Sequence, residues 1–271
     1  MKNLDRLRFL SPQGINLELP LLIYLPGMDG TGELFELQAT SLAAYFDIRC
    51  LHIPSDNTDG WQVLANRTSE LIKSEIALNK ERPIYLCGES FGGCLALQIA
   101  LGEPSLIERL ILINPASSFN QRPLLSLGIN ITDLMPEWLH SYSSVSLLPF
   151  LAQLNRIDPS DRLKLIKAIK SMPPKIASWR MSLLQNFQVS TARLSNLNLP
   201  TLVIAGMADR LLPSIEEARR LVKILPKAKM AILPHSGHAC LLETETNLRA
   251  ILRQQQFLPV KGKKLVGIRQ T

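Results

Sequence analysis

No stretch of the 271-residue sequence approaches the roughly 18 consecutive apolar residues of a membrane-spanning helix, so an integral membrane protein is not expected. The first ten residues carry Lys2, Asp5, Arg6 and Arg8, too much charge for a secretory signal. Cysteine is sparse. Cys50, Cys87, Cys94 and Cys240 lack metal-ligand spacing, and Cys87 and Cys94 sit in apolar segments, as buried free thiols of a reducing compartment do. Gly27, Gly30 and Gly32 are spaced G-x-x-G-x-G and not G-x-G-x-x-G, which removes the dinucleotide fingerprint. The net charge is +7. It comes without an aromatic-interleaved basic motif, so nucleic acid is not an expected partner. No cofactor and no metal is expected. What remains is a cytoplasmic protein, soluble or peripheral to a membrane.

What the sequence does contain is Gly88-Glu89-Ser90-Phe91-Gly92-Gly93, between the apolar run Pro83 to Cys87 and the helix-like run Cys94 to Leu101. A strand turning sharply into a helix within G-x-S-x-G holds its serine in a strained backbone, and small neighbours leave room for it. The hydroxyl of Ser90 would then stand at the top of a sheet beside the amide of Phe91. An ordinary glycine-rich turn is the competing reading.

Apolar runs recur on both sides of this turn. Leu21 to Leu25, Asp47 to Ile53, Pro83 to Cys87, Arg109 to Ile113, Thr201 to Ala205 and Lys229 to Leu233 read as strands, and Leu7 to Leu10 with Ile15 to Leu19 as two short ones. Helical stretches at 33–45 and 61–79 alternate with them, which predicts an α/β fold with a mostly parallel, doubly wound sheet. The rhythm breaks over 119–198, where helical patterns run without a convincing strand. We therefore expect a core of residues 1–118 and 199–257, an inserted helical cap at 119–198 and a basic tail at 258–271. Asp158 with Pro159 is a helix start. Leu163, Ile166, Ile169 and Met172 form an apolar stripe on the helix that follows. Segment 119–198 holds nine Lys/Arg against four Asp/Glu, and residues 252–271 hold five against none. Such a balance suits peripheral contact with an anionic membrane, or simply a solvated face.

A nucleophilic serine needs a base, an orienting acid and donors for an oxyanion. Of His52, His140, His235 and His238, the last is preferred, because Gly237 permits close approach and the apolar residues after it would fix the ring. Asp209 ends the strand Thr201 to Ala205 and is the sole carboxylate between Asp161 and Glu216. The order Ser90, Asp209, His238 is that of the α/β-hydrolase fold. Phe91 supplies one oxyanion N–H, and Met28, in the loop after an early strand, supplies the other, with Asp29 as the alternative.

Leu25-Pro26-Gly27-Met28-Asp29-Gly30-Thr31-Gly32, together with segments 49–54, 83–97, 113–119 and 236–243, resembles the hydrolase half of the plant plastid phytyl ester synthase family. The resemblance runs over most of the chain, including the inserted segment. It implies the triad Ser90, Asp209 and His238, acyl groups drawn from galactolipids and acyl thioesters, phytyl esters and triacylglycerol as products, and association with photosynthetic membranes. Plant members carry a further acyltransferase-like domain with an HxxxxD motif; these 271 residues contain no HxxxxD, so acyl-bond cleavage is what carries over. The expected partner is a small lipid ester or acyl thioester. Transfer of the acyl group to phytol or diacylglycerol is one alternative, carbon–carbon bond hydrolysis another. A non-catalytic lipid- or partner-binding protein on the same fold is the alternative from a different class.

Overall fold

The computed structural model describes residues 6–79, 82–121 and 148–259. Seven strands form one sheet in the order β1-β3-β2-β4-β5-β6-β7: β1 (Arg8–Leu10), β2 (Leu21–Leu25), β3 (Asp47–His52), β4 (Ile84–Glu89), β5 (Arg109–Ile113), β6 (Thr201–Gly206) and β7 (Ala228–Leu233). Only β1 runs antiparallel, against β3, and every other pair is parallel. Central strands of such a sheet are covered on both faces and so read as unbroken apolar runs. All five residues of β2 are buried.

The two-residue period of a strand divides the core. Leu21, Ile23, Leu25, Leu86, Leu110 and Val203 pack on one face with α2 (Trp61–Leu78), α3 (Phe91–Gly102) and α8 (Ser214–Ile224). Leu22, Tyr24, Tyr85, Ile111 and Ile204 face the other way, toward α1 (Glu36–Leu42) and α9 (Leu248–Gln254). The four cysteines are free and buried. After β2 the chain moves to β3 on one side, then returns to β4 on the other. The carboxyl ends of β2 and β4 therefore flank the point where the winding reverses, the place where α/β sheets open a crevice.

Between β5 and β6 the described residues contain helices and no strand: α4 (Leu148–Leu151), α5 (Pro159–Lys170), α6 (Pro174–Gln185) and α7 (Thr191–Ser195). The Asp158 carboxylate accepts the Ser160 N–H, and Pro159 opens α5. Residues 122–147, with His140, and residues 260–271, nearly all of the expected tail, lie outside the described residues.

Two expectations are corrected. Ile15 to Leu19 is not a strand: the Gly14 N–H donates to Ser11 O and the Asn16 carboxamide accepts the Glu18 N–H, so the segment is spent in turns and Ile15 is exposed. On α5 the departure from the expected stripe is Leu163, which is 67% exposed. Ile166 and Ile169 pack with Leu148, Ile157, Leu165 and Leu242, and Met172 is buried.

Candidate active site

Ser90 follows β4 directly and adopts φ 52°, ψ −114°, a region that non-glycine residues seldom occupy. Strain of this kind is worth about 1–3 kcal/mol and must be held by its surroundings. Here the Ser90 N–H donates to Ile113 O, while Ser90 O accepts from the amides of Gly93 and Ala116. Gly92 is required for a different reason. A Cβ there would collide with the carbonyls of Leu25 and Pro26, where α3 crosses the end of β2.

Three side chains from three strand ends meet at this turn. His238 Nε2 lies 2.8 Å from Ser90 Oγ, and His238 Nδ1 lies 2.8 Å from Asp209 Oδ2. With Nδ1–H donating to the carboxylate, Nε2 is the acceptor facing the serine hydroxyl. Asp209 is fully engaged. Its Oδ1 accepts the N–H groups of Leu211 and Leu212, and its Oδ2 also accepts the Ser214 hydroxyl at 2.5 Å. Burial alone would raise the Asp209 pKa, but the field and hydrogen bond of His238, the Ser214 hydroxyl and the Leu212 amide together hold it below the usual carboxylate value. For His238, burial opposes the charged form. The charge of Asp209, the hydrogen bond to it and the charge of Glu89 outweigh burial, so the imidazole pKa lies above its ordinary value.

Phe91 directly follows the serine, and the turn that holds Met28 lies near it. The Phe91 amide opens α3 with no intrahelical partner. Among the described residues no acceptor takes the Met28 N–H, and Met28 belongs to the turn closed by the Gly30 N–H donating to Gly27 O. A Cβ on Gly27 would come within 4.0 Å of Ser90 Cβ, so the turn lies against the serine. His235 is exposed, and His52 instead sets Nδ1 3.2 Å from Thr31 O. A cavity of about 730 Å³ opens beside this turn, between Asp29, Thr31, His52 and the α5 residues Lys164 and Lys167; Ser90 and His238 are not in its walls.

Several residues that hold the site carry no sequence signal of their own. Asn114, fully buried at φ 41°, donates to His238 O and Gly237 O and accepts the Gly206 N–H, tying the end of β6 to the histidine loop. Glu243, also fully buried, accepts the Gly237 N–H and pairs with Arg156, from the segment between β5 and β6, at 2.9 Å. The Ala239 N–H donates to Leu151 O at the end of α4, so the helical segment between β5 and β6 touches the loop of His238. Glu89 accepts the Tyr24 hydroxyl. Burial pushes its pKa up to about 7, the Tyr24 bond and His238 pulling downward and Asp29 upward. An acidic residue at the end of an apolar run, as Glu89 and Glu243 both are, was the available hint. Among the described residues no group of three or more His, Cys, Asp or Glu side chains could hold a metal ion, and no helix is long and apolar enough to cross a membrane.

A mostly parallel sheet with a strained serine after its central strand, and an acid and a histidine on later strand ends, defines an α/β hydrolase. The comparisons agree. The family described as serine aminopeptidase, S33, matches residues 57–245, and the chain belongs to it. Phytyl ester synthase 1, chloroplastic, from Arabidopsis thaliana is 31% identical over 259 residues, covering 87% of this chain. The chain spans 37% of that relative's length. Pimeloyl-[acyl-carrier protein] methyl ester esterase from Vibrio campbellii is 26% identical, covering 81% of this chain and 88% of its own. Among solved structures, MenH from S. aureus superposes with a TM-score of 0.72 at 17% identity, covering 92% of this chain and 98% of its own, and so supports the fold.

Proposed function

We propose that the chain is a serine hydrolase that cleaves lipid carboxylic esters or thioesters through an acyl-enzyme. The supporting observation is the unbroken line of hydrogen bonds from Asp209 through His238 to Ser90, 2.8 Å at each joint. In this reading Ser90 Oγ attacks the acyl carbonyl carbon as its proton passes to His238 Nε2. The oxyanion so formed is met by the Met28 and Phe91 N–H groups. The carbon–leaving group bond then breaks, and His238 returns the proton to the departing alcohol or thiol. Water repeats the sequence on the acyl-enzyme and releases the acid. Asp209 keeps the imidazole in the Nδ1–H tautomer and offsets its charge.

The name of the Arabidopsis relative favours a second reading, in which an alcohol such as phytol replaces water as the acceptor. Both share the acyl-enzyme, so one experiment serves first. Wild type and Ser90→Ala are incubated with a fluorophosphonate and with a p-nitrophenyl ester, and intact mass and turnover are read. Labelling and turnover that vanish in Ser90→Ala are expected. If wild type neither labels nor turns over, the chain is a binding protein on this fold. Adding phytol to the acylated enzyme then separates the two acceptors: free acid alone removes transfer.

A further inference from the structure

Arg180, on α6 of the insertion, is a buried guanidinium with 2% exposure and, among the described residues, no carboxylate within ion-pair distance. Its partners are backbone carbonyls. Nη1 donates to Met28 O at 2.7 Å and Nη2 to Pro54 O at 3.0 Å, so one planar group spans the loops that follow β2 and β3. Burying a cation without direct pairing is expensive, and its pKa is pushed down to about 10 by burial, with the charge of Asp29 resisting. The turn is shaped to admit it. Gly30 has φ 72°, and a Cβ there would sit 2.6 Å from Arg180 Nη1 and 3.0 Å from Ile53 O. The Ile53 N–H donates to Gly30 O at 2.8 Å, and Asp29 Oδ2 accepts both the amide and the hydroxyl of Thr31. Met28 is thus held at its carbonyl, which fixes the peptide unit after it, while its N–H has no acceptor among the described residues.

We propose that Arg180 is a positioning residue for the oxyanion hole: it fixes the Met28 turn so that the Met28 amide meets the developing oxyanion, and it couples the helical insertion to the reaction at Ser90. The inference rests on Ser90 and Met28 having the roles proposed above. Arginine suits the task because its rigid fork reaches two carbonyls at once, whereas lysine presents a single compact charge. Loss of an oxyanion donor lowers kcat by about 100- to 1000-fold, so a donor left in place but loosely held should lower it by roughly 10- to 100-fold.

Arg180→Lys and Arg180→Ala are compared with wild type for turnover of a p-nitrophenyl ester, with active sites counted by fluorophosphonate labelling. An alkyl boronic acid, whose tetrahedral serine adduct carries an oxyanion, serves as the second probe. The expected result is a loss of kcat per labelled serine of roughly 10-fold or more with KM nearly unchanged. Boronate affinity should fall by the same factor as kcat/KM, and methylguanidine should restore part of the activity of Arg180→Ala. A structural role alone would lower the fraction of protein that labels and leave the kcat of each labelled site intact. Such a result, or an unchanged boronate affinity, overturns the proposal; if Arg180→Ala does not fold, Arg180→Lys decides. Failure of wild type to label at Ser90 would instead remove the underlying site, an outcome distinct from the other two.

Discussion

Gly206 ends β6, and a single methyl group added there should separate the two halves of the proposed triad. A Cβ at this position would lie 2.5 Å from Ser236 O and 2.7 Å from Gly237 O, both backbone atoms that cannot rotate away. Ordinary contact begins near 3.4 Å, so the histidine loop must retreat by about 0.9 Å, or β6 must yield. The φ of Gly206 is not in the left-handed region, so Gly206→Ala introduces crowding and no backbone strain. A retreat of that size would stretch the 2.8 Å contact between His238 and Asp209 beyond hydrogen-bond reach. Misplacing a catalytic group by about 1 Å lowers the rate by about 100-fold, so kcat should fall by roughly 10- to 100-fold. Overpacking should cost about 1–3 kcal/mol of stability as well. The assay is p-nitrophenyl ester turnover beside a urea unfolding curve. Gly102→Ala is the control, since a Cβ there meets nothing within 4 Å. A kcat for Gly206→Ala within about threefold of wild type would refute the reasoning, because the loop would then tolerate the displacement that the geometry forbids.

The pH dependence should follow His238, which faces Ser90, and the charges that shift it. His238 must be neutral to accept a proton and its pKa lies above the ordinary value, so kcat/KM should rise with pH through a midpoint above 6.5. Glu89 raises His238, so Glu89→Gln should move that midpoint to lower pH; an unmoved midpoint would remove Glu89 from the account. The stability linked to a raised histidine is present at low pH and is lost as pH rises through its folded value, whereas that linked to the depressed Asp209 is lost as pH falls through its folded value. Away from the site, Asp47 is fully buried and accepts Arg49 at 2.6 Å and Arg82 at 2.6 Å. Asp47→Asn leaves Arg49 and Arg82 with Glu75 as their carboxylate partner among the described residues and should cost about 1.5–3 kcal/mol by urea denaturation, where a loss under about 1 kcal/mol would contradict it.

The sheet was legible because its strands are covered on both faces: Leu21 to Leu25 and Leu202 to Ala205 are apolar throughout, and burial of every residue is the cause. Ile15 to Leu19 deceived for a related reason. Five mostly apolar residues satisfy the pattern of a strand, but the hydrogen bonds of Asn16 satisfy the backbone first. On α5 the apolar spacing placed Ile166, Ile169 and Met172 inward and failed at the first turn, where Leu165 is buried and Leu163 is exposed.

The residues proposed for chemistry were legible from chain order, because Ser90, Asp209 and His238 each follow an apolar strand and each type is scarce in its stretch. Their supports were not, and the reason is distance along the chain. Asn114 reaches the loop of His238 across 124 residues, and Arg180 reaches Met28 across 152. Neither contact leaves a periodicity or a spacing that one sequence can display. A lone asparagine after a strand and a lone arginine on a helix read as surface residues until burial is known. Both prove to be buried, and both direct side-chain donors to backbone carbonyls of the loops that hold His238 and Met28. Polar groups used in this way fix where a loop lies while leaving the identity of its side chains free. The functional sequence signal therefore concentrates in the few residues that would meet substrate, and the geometry that makes them competent is carried by residues whose type alone says nothing.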